Sequence, residues 1–437
     1  MTLTWQSWAG SASCSPERIV APRTVAEVAA TVTSARELRV VGGGHSFSPV
    51  VCTDGVLMTV DALRTVGEPV PLPRPEGRAT HTVTVGAGLR LRELNRALAA
   101  RGLAMSNLGD IDSQSVAGAI STGTHGTGGV AAGLATMVRG VGLVLADGSH
   151  VEVSPQADPE LFEVARLGLG AAGVLTSVTL AVEPAFTLRA VEEPWPLARV
   201  LAELDGPDGL LATNEHVEMF WFPHTDRALT KRNNRVPADD APLHPIRGWV
   251  DDELLSNQVF ELANRVGARA PRTVPTLARI SARALGPRVY TAPSHEVFVS
   301  ARRVRFHETE WALPRAAMPS VLAELEQWID RTRTPVSFPV EVRFAAAEEV
   351  WLSTAHGRDT AYVAVHQFHR GDHRALFAAA QDIMVAHDGR PHWGKMHDLD
   401  ARRLAPQYPR FADAQRVLAR VDPAGRFRND HLARVLG

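Results

Sequence analysis

Three consecutive glycines, Gly42, Gly43 and Gly44, end the short apolar run Leu38 to Val41 and are followed by His45 and Ser46. A buried strand can reach Val41, but three residues without side chains cannot continue a packed element. Glycine frees the backbone to take positive φ and lets a bulky group approach closely, so a row of amide N–H groups here can face an anion such as a pyrophosphate. Taken alone, the stretch reads more simply as a tight turn with a surface histidine. A second stretch rich in Gly, Ser and Thr, Gly118 to Gly129, has the same chemistry and favours the anion reading.

The chain has 437 residues, 45% hydrophobic and 22% charged, enough for a large core and two domains. A formal charge of -2 with no basic stripe argues against nucleic acid as a partner. The opening MTLTWQSWAG lacks a basic segment followed by an apolar one, and Arg139 interrupts the most apolar glycine-rich run, Val130 to Ala146. Neither a secretory signal nor an integral membrane segment is expected. Two cysteines, Cys14 and Cys52, are too few for a disulfide framework or a Cys-based zinc site, and a cytoplasmic setting follows.

In chain order, Arg18 to Pro22 reads as a strand, and Thr24 with Glu27 has capping-box spacing for a helix to about Ala35. The strand before the glycines then completes a β-α-β start. Strands follow at Val56 to Val60 and His81 to Val85, and a helix from Leu91 to Arg101 stops at Gly102. Ser106 to Gly129 is too polar for a core strand and too broken by glycine for a helix, which predicts a loop system wrapped around something. Met137 to Ala146 and His150 to Ser154 form a hairpin through Asp147-Gly148. A helix at Pro159 to Arg166 and a strand at Val174 to Val182 precede a change of texture. Beyond Pro184, strands are expected at Glu215 to Phe222, Arg303 to Ala312, Phe338 to Ala345 and Ala361 to Phe368. Helices are expected near Asp251 to Val266, Pro314 to Arg331 and Ala375 to His387, and Pro237 to Pro245 as a surface loop. The arrangement suggests an α+β layer facing a substrate.

Several constellations compete for the chemistry. His366, His369, Asp372 and His373 suggest zinc, but strand alternation puts His366 and His369 on opposite faces, and no metal is expected. No GxSxG nucleophile or Gly-Lys-Ser/Thr phosphate loop occurs. Glu341 and Arg343 lie two apart in the strand-like run FPVEVRF and share a face. That pair is either an exposed ion pair or, because the run is otherwise apolar, a pair looking into a cavity. Lys395, in RPHWGKMH, is either a snorkelling lysine or part of the same site.

These motifs together resemble the FAD-linked sugar-lactone and alditol oxidoreductases of the vanillyl-alcohol oxidase superfamily. The likeness runs nearly end to end: WAG at Trp8 to Gly10, GGGHSF at Gly42 to Phe47, AGAISTGTHGTG at Ala117 to Gly128, LGAAG before Val174, FPVEVRF, LSTAHGRD at Leu352 to Asp359, RPHWGK, and the closing NDHLARVLG. It implies an α+β protein with a two-part FAD-binding domain of the vanillyl-alcohol oxidase (PCMH) type, residues 1–183 and 390–437, and an α+β cap over 184–389. By the resemblance, Val40, Val41, Gly42, Gly43, Gly44, His45 and Ser46 hold the flavin pyrophosphate, and His45 is joined covalently to the flavin in many members. Asp110, Ser115, Gly118, Ala119, Ile120, Ser121, Thr122 and Val174 fall where other flavin contacts lie. Glu341, Arg343 and Lys395 match the polar groups on the substrate, and His366 competes with Glu341 as the base, both being expected to line the pocket. The implied reaction is oxidation of a sugar-derived hydroxyl by hydride transfer to flavin N5, with oxygen or another acceptor reoxidising the flavin. NLGDID favours an aldono-1,4-lactone of the L-gulono or D-arabinono type over an open-chain polyol such as xylitol or sorbitol. A non-catalytic flavin-binding module is the alternative of another class, and the charged residues count against it.

Overall fold

The computed structural model describes residues 3–128, 133–237, 260–300 and 303–437. The expected loop Pro237 to Pro245 and the first part of the helix expected from Asp251 lie almost wholly outside these; the helix Phe260–Arg269 falls within them. Thr24 caps the helix Val25–Ser34 by accepting the Glu27 amide at 3.2 Å, and the Glu27 carboxylate accepts from Arg23 N at 2.7 Å. Strands Arg18–Val20 and Leu38–Val41 flank that helix without pairing with each other. Val56–Thr59 lies between them, parallel to both, so the expected β-α-β start becomes a three-stranded parallel sheet.

A second, antiparallel sheet follows in the order His150–Val153, Val138–Val144, Val174–Pro184, Ala79–Gly86 and Val70–Glu76, with Leu103–Ala104 also pairing to Val174–Pro184. Its hairpin turns at Gly148, where φ is +86°. The stretch expected to be loop throughout contains one helix, Val116–Ser121, because Ser115 Oγ accepts the Gly118 amide at 3.1 Å and so supplies a cap that offsets the glycine.

The third sheet has eight strands, all antiparallel: Arg288–Pro293, Thr187–Pro196, Arg227–Val236, His216–Trp221, Val340–Ala345, Thr360–Phe368, Phe306–Pro314 and Arg390–Pro391. One face joins the main core: Val340, Val342 and Phe344 point into it together with Val363, Val365, Trp311 and Leu313. The helix Met318–Thr332 contributes Met318, Val321, Leu322, Leu325 and Ile329 to that core, a helical stripe burying one side. The opposite face carries the charges described below.

Arg39 ties distant parts of the chain together. Its guanidinium, 2% exposed, donates to the carbonyls of Val50 at 3.0 Å and Leu169 at 2.6 Å, and also to those of Gly170 and Phe427. Burial lowers its pKa to about 10, so it is still charged at neutral pH. Nearby, Leu38 N donates to Arg426 O at 2.8 Å, and Asn429 Nδ2 donates to the carbonyls of Pro49, Val50 and Cys52. The chain's last segment therefore fastens the strand that leads into the glycines. Arg39→Met should strand these buried carbonyls at a cost of about 3 kcal/mol, measured as a fall of several degrees in melting temperature; an unchanged midpoint would show that the tie carries no stability.

Candidate active site

The charged face of the eight-stranded sheet is built by strand alternation. In Val340–Ala345, Glu341 and Arg343 project to the side opposite Val340, Val342 and Phe344, and in Phe306–Pro314, Glu308 and Glu310 do the same. Between them runs Thr360–Phe368, where Ala364 is the register partner of both Glu310 and Glu341. An alanine at that point leaves space between the two carboxylates. The result is the floor of a cavity of about 260 Å³, whose walls include Glu308, Glu310, Glu341, Arg343, Lys395 and Asp110.

Buried charge at this density is held by pairing. Arg343 contacts Glu341 directly, lies 3.3 Å from Glu218 Oε2 through Nε, and 3.5 Å from Asp110 Oδ1 through Nη2. Burial alone would lower its pKa, but Glu341, Asp110 and Glu218 hold it well above the ordinary value. Lys395 Nζ stands 2.5 Å from Glu308 Oε2 and 3.6 Å from Glu310 Oε2. Burial opposes the Lys395 charge, yet these two carboxylates raise its pKa, which makes it a fixed cation rather than a base. Burial likewise opposes the carboxylates; Lys395 and then His366 bring Glu308 down to about 2, and Lys395 and then His125 hold Glu310 well below the usual range.

The loop system forms the opposite wall. Gly128 N donates to Phe344 O at 2.7 Å, His216 Nδ1 lies 2.6 Å from Thr127 O, and Thr127 Oγ1 donates to Val217 O, so the loop is stitched onto two strands of the large sheet. His125 stacks on Tyr362 with ring centroids 3.5 Å apart. Its Nδ1 must donate to Gly126 O at 2.9 Å, because a carbonyl only accepts, and its Nε2 faces Glu310 Oε1 at 3.2 Å.

At the other end the loop meets the three glycines. A Cβ placed on Gly42 would lie 2.1 Å from Ser115 Oγ and 3.7 Å from Gly118 Cα, so the two glycine-rich stretches form one surface. That surface lines a second cavity of about 90 Å³, which shares His45, Ser46, Gln114 and Thr122 with the larger one. The His45 Nε2 is 2.8 Å from Ser113 Oγ, and burial, with Arg90 nearby, lowers the imidazole pKa to about 4, so the ring is neutral at physiological pH.

Of the residues singled out in the sequence, Val40, Val41, Gly42, Gly43, Gly44, Ser115, Gly118 and Ser121 line the smaller cavity. His45, Ser46 and Thr122 line both, and Asp110, Glu341, Arg343 and Lys395 line the larger. Ala119, Ile120 and Val174 are buried in the core and form no part of either wall; Gly173 and Leu175 face the cavity where Val174 turns away. His366 also departs from expectation. It lies behind the wall, with Nε2 3.4 Å from Glu308 Oε1 and Nδ1 3.3 Å from Pro339 O, packed against Phe306 and Phe338. Glu308, Glu310, Glu218, His125 and His392 escaped sequence reasoning. The spacing of HETEW, two acids on one face of an apolar strand, is the same signal that exposed Glu341 and Arg343.

The His366, His369 and His373 set is not assembled: His369 Nδ1 donates to Arg305 O at 2.9 Å and His373 packs on His307. His125, Glu310 and His392 do offer ligand atoms within 4.8 Å of one another. His392, however, donates from Nε2 to Gly123 O at 3.2 Å and accepts the Gly394 amide on Nδ1 at 3.1 Å, while Lys395 puts a positive charge beside Glu310. The nitrogens of His392 are thus taken up by backbone partners and the Glu310 carboxylate by His125 and Lys395.

Residues 178–435 match the family model for D-arabinono-1,4-lactone oxidase, and residues 16–154 match that of an FAD binding domain. The chain belongs to the D-arabinono-1,4-lactone oxidase family. Among similar proteins, an L-gulono-1,4-lactone dehydrogenase of Mycobacterium tuberculosis is 38% identical, with 100% of both chains covered. L-gulonolactone oxidase of Scyliorhinus torazame is 31% identical over 99% of this chain and 98% of its own, and an alditol oxidase of a Streptomyces species is 32% identical over 100% of each. In fold, the chain superposes on cholesterol oxidase from Brevibacterium sterolicum with a TM-score of 0.79 at 18% identity, covering 100% of this chain and 97% of that one. The architecture is thus the two-part FAD-binding fold of the vanillyl-alcohol oxidase type with an α+β cap, and this lactone-oxidase-family chain is an FAD-dependent oxidoreductase.

The residues present fit FAD. Gly42 and Gly118 meet over Ser115 with no room for a side chain, which leaves backbone amides and the hydroxyls of Ser46, Ser121 and Thr122 along a narrow cleft suited to an anionic diphosphate. Gly42→Ala should therefore lower the FAD content of the purified protein, read from its visible absorbance, and Gly42→Ala/Ser115→Gly should recover it; equal flavin in Gly42→Ala and wild type would remove this surface from cofactor binding.

Proposed function

We propose that this protein oxidises a hydroxyl group of an aldono-1,4-lactone of the L-gulono or D-arabinono type, with FAD as hydride acceptor. The observation that carries the reading is the adjacency of the two cavities. A glycine-lined cleft and a floor of paired carboxylates and cations share His45, Ser46, Gln114 and Thr122 in their linings. When bound, the flavin supplies the electron-accepting ring. The names of the similar proteins supply the substrate class. We assign residues 1–183 and 390–437 to holding the cofactor and 184–389 to covering the substrate; the strand Arg390–Pro391, at the edge of the large sheet, is the joint between them.

In this reading Glu341 accepts the hydrogen bond of the substrate hydroxyl, and its position on the cavity floor favours it over His366, which stands behind Glu308. Arg343, in contact with Glu341, fixes that carboxylate and offers donors to the substrate oxygens. Lys395, held positive by Glu308 and Glu310, stabilises negative charge developing in the cavity. The neutral ring of His45, at the junction of the two cavities, is our choice for a covalent link to the flavin. Oxygen or another acceptor completes the cycle.

Anaerobic mixing with a panel of aldonolactones and alditols tests the assignment. L-gulono- or D-arabinono-1,4-lactone should bleach the flavin fastest, and recovery of colour on admitting air would show that oxygen is an acceptor. Faster bleaching by xylitol or sorbitol moves the assignment to alditol oxidation, and no bleaching by any of them refutes it. Glu341→Gln should lower kcat by about 10²-fold with flavin content intact. Acid-denatured wild-type protein should keep its flavin fluorescence after precipitation, whereas His45→Ala should release it.

A further inference from the structure

Arg343 begins a row of charges that leads away from the cavity. At the same register level on five neighbouring strands stand Arg343, Glu218, Lys231, Glu192 and Arg288, alternating in sign. Glu218 bridges the first part of the row: its Oε2 lies 3.3 Å from Arg343 Nε and its Oε1 lies 3.0 Å from Lys231 Nζ. Lys231 also donates to Val297 O at 3.0 Å and lies in neither cavity wall. We propose that Lys231 is a positioning residue for the active-site guanidinium of Arg343, acting through Glu218. The inference rests on the lactone-oxidising reading of the cavity and adds to it a residue that never meets the substrate.

Arg343 and Lys231 share the charge of Glu218. Arg343 faces three carboxylates, Glu341, Asp110 and Glu218, which together exceed what one guanidinium can neutralise. By holding the other oxygen of Glu218, Lys231 takes up part of that demand and leaves the guanidinium directed to Glu341 and the cavity. Without the ammonium, the whole charge of Glu218 would fall on Arg343 and draw it away from Glu341. Burial opposes the Lys231 charge, but Glu218, Tyr290 and Glu192 keep its pKa above the ordinary value, so it is a permanent cation. The groups facing Glu218 are Arg343, Lys231 and Asp110, with His216 on its own strand and Glu192 beyond Lys231. Burial and Asp110 raise the Glu218 carboxyl, while Lys231 and Arg343 together lower it below the usual value.

The sign of the effect follows. In Lys231→Met the Glu218 carboxyl rises, because its close cation is lost, and on protonation it releases Arg343 to Glu341. The kcat/KM of Lys231→Met with an aldonolactone should therefore fall below that of wild type at neutral pH and recover towards it as pH falls and Glu218 takes up its proton. Lys231→Arg should restore the wild-type profile. Glu218→Gln/Lys231→Met, which has no Glu218 carboxylate to draw Arg343 away, should lack that pH-dependent deficit. Melting temperature supplies a reading independent of turnover and of the cofactor. The depressed Glu218 carboxyl of wild type contributes stability above its unfolded pKa, whereas the raised one of Lys231→Met loses stability as pH rises. The gap between the two proteins should widen from pH 4 to pH 7, while a lysine that only fills space would give a constant gap. An active wild type, with a Lys231→Met deficit in kcat/KM that is absent or does not change with pH and a constant gap in melting temperature, overturns the role of Lys231 and leaves the proposed function standing. A wild type inert to lactones and alditols takes down both. A Lys231→Met chain too unstable to purify is decided on Glu218→Gln/Lys231→Met against Glu218→Gln: equal kcat/KM supports action through Glu218, and a further loss refutes it.

Discussion

Four glutamates, each less than a tenth exposed, share one face of one sheet: Glu218, Glu308, Glu310 and Glu341. Carboxylates removed from water cost several kcal/mol each unless cations and hydrogen bonds meet them in good geometry. Arg343, Lys395 and Lys231 meet them here; Arg343 and Lys231 are held by the sheet register, and Lys395 comes from the segment that follows the strand Arg390–Pro391. The other side of the sheet joins an apolar core to which Met318–Thr332 also contributes. An ionic floor of this kind is poor material for stability and good material for preorganisation, since its dipoles and charges are already oriented before a substrate enters.

A single loop aligns the floor with the glycine surface. Between Asn107 and Gly128 the chain supplies Ser115, which faces Gly42, and Thr127 and Gly128, which are bonded to strands of the large sheet. The distance between cofactor cleft and substrate floor is thus set within about twenty residues of one segment. A misplacement of an ångström at such a junction is enough to cost orders of magnitude in a transfer reaction, which explains why so polar a stretch is bonded directly onto two strands of the large sheet.

Much of this was legible in the sequence where a local rule decides the outcome. The glycines mark a close approach, the Thr24 cap and the Asp147-Gly148 turn follow from short-range chemistry, and Glu341 with Arg343 stands out against an apolar strand. Glu308 and Glu310 obey the same rule and were equally readable. Other features depend on tertiary pairing. The strand Val56–Thr59 enters between two others because of sheet assembly, not because of its composition. Thr187–Pro196 contains Pro194 and Pro196, which argue against a strand, yet it pairs on both sides along much of its length. The helix Val116–Ser121 exists through its cap despite Gly118. Whether His366 or Glu341 reaches the cavity turns on Glu308 standing in front of the histidine, which no spacing encodes.

The ties from Arg39, Arg426 and Asn429 make the glycine surface depend on parts of the chain remote in sequence. The strand entering the glycine surface is fastened by the Phe427 and Arg426 carbonyls, and the segment after His45 by the Asn429 amide. The cleft is therefore completed by contacts spanning 388 and 380 residues of sequence, whose chain closure is slow beside that of local contacts.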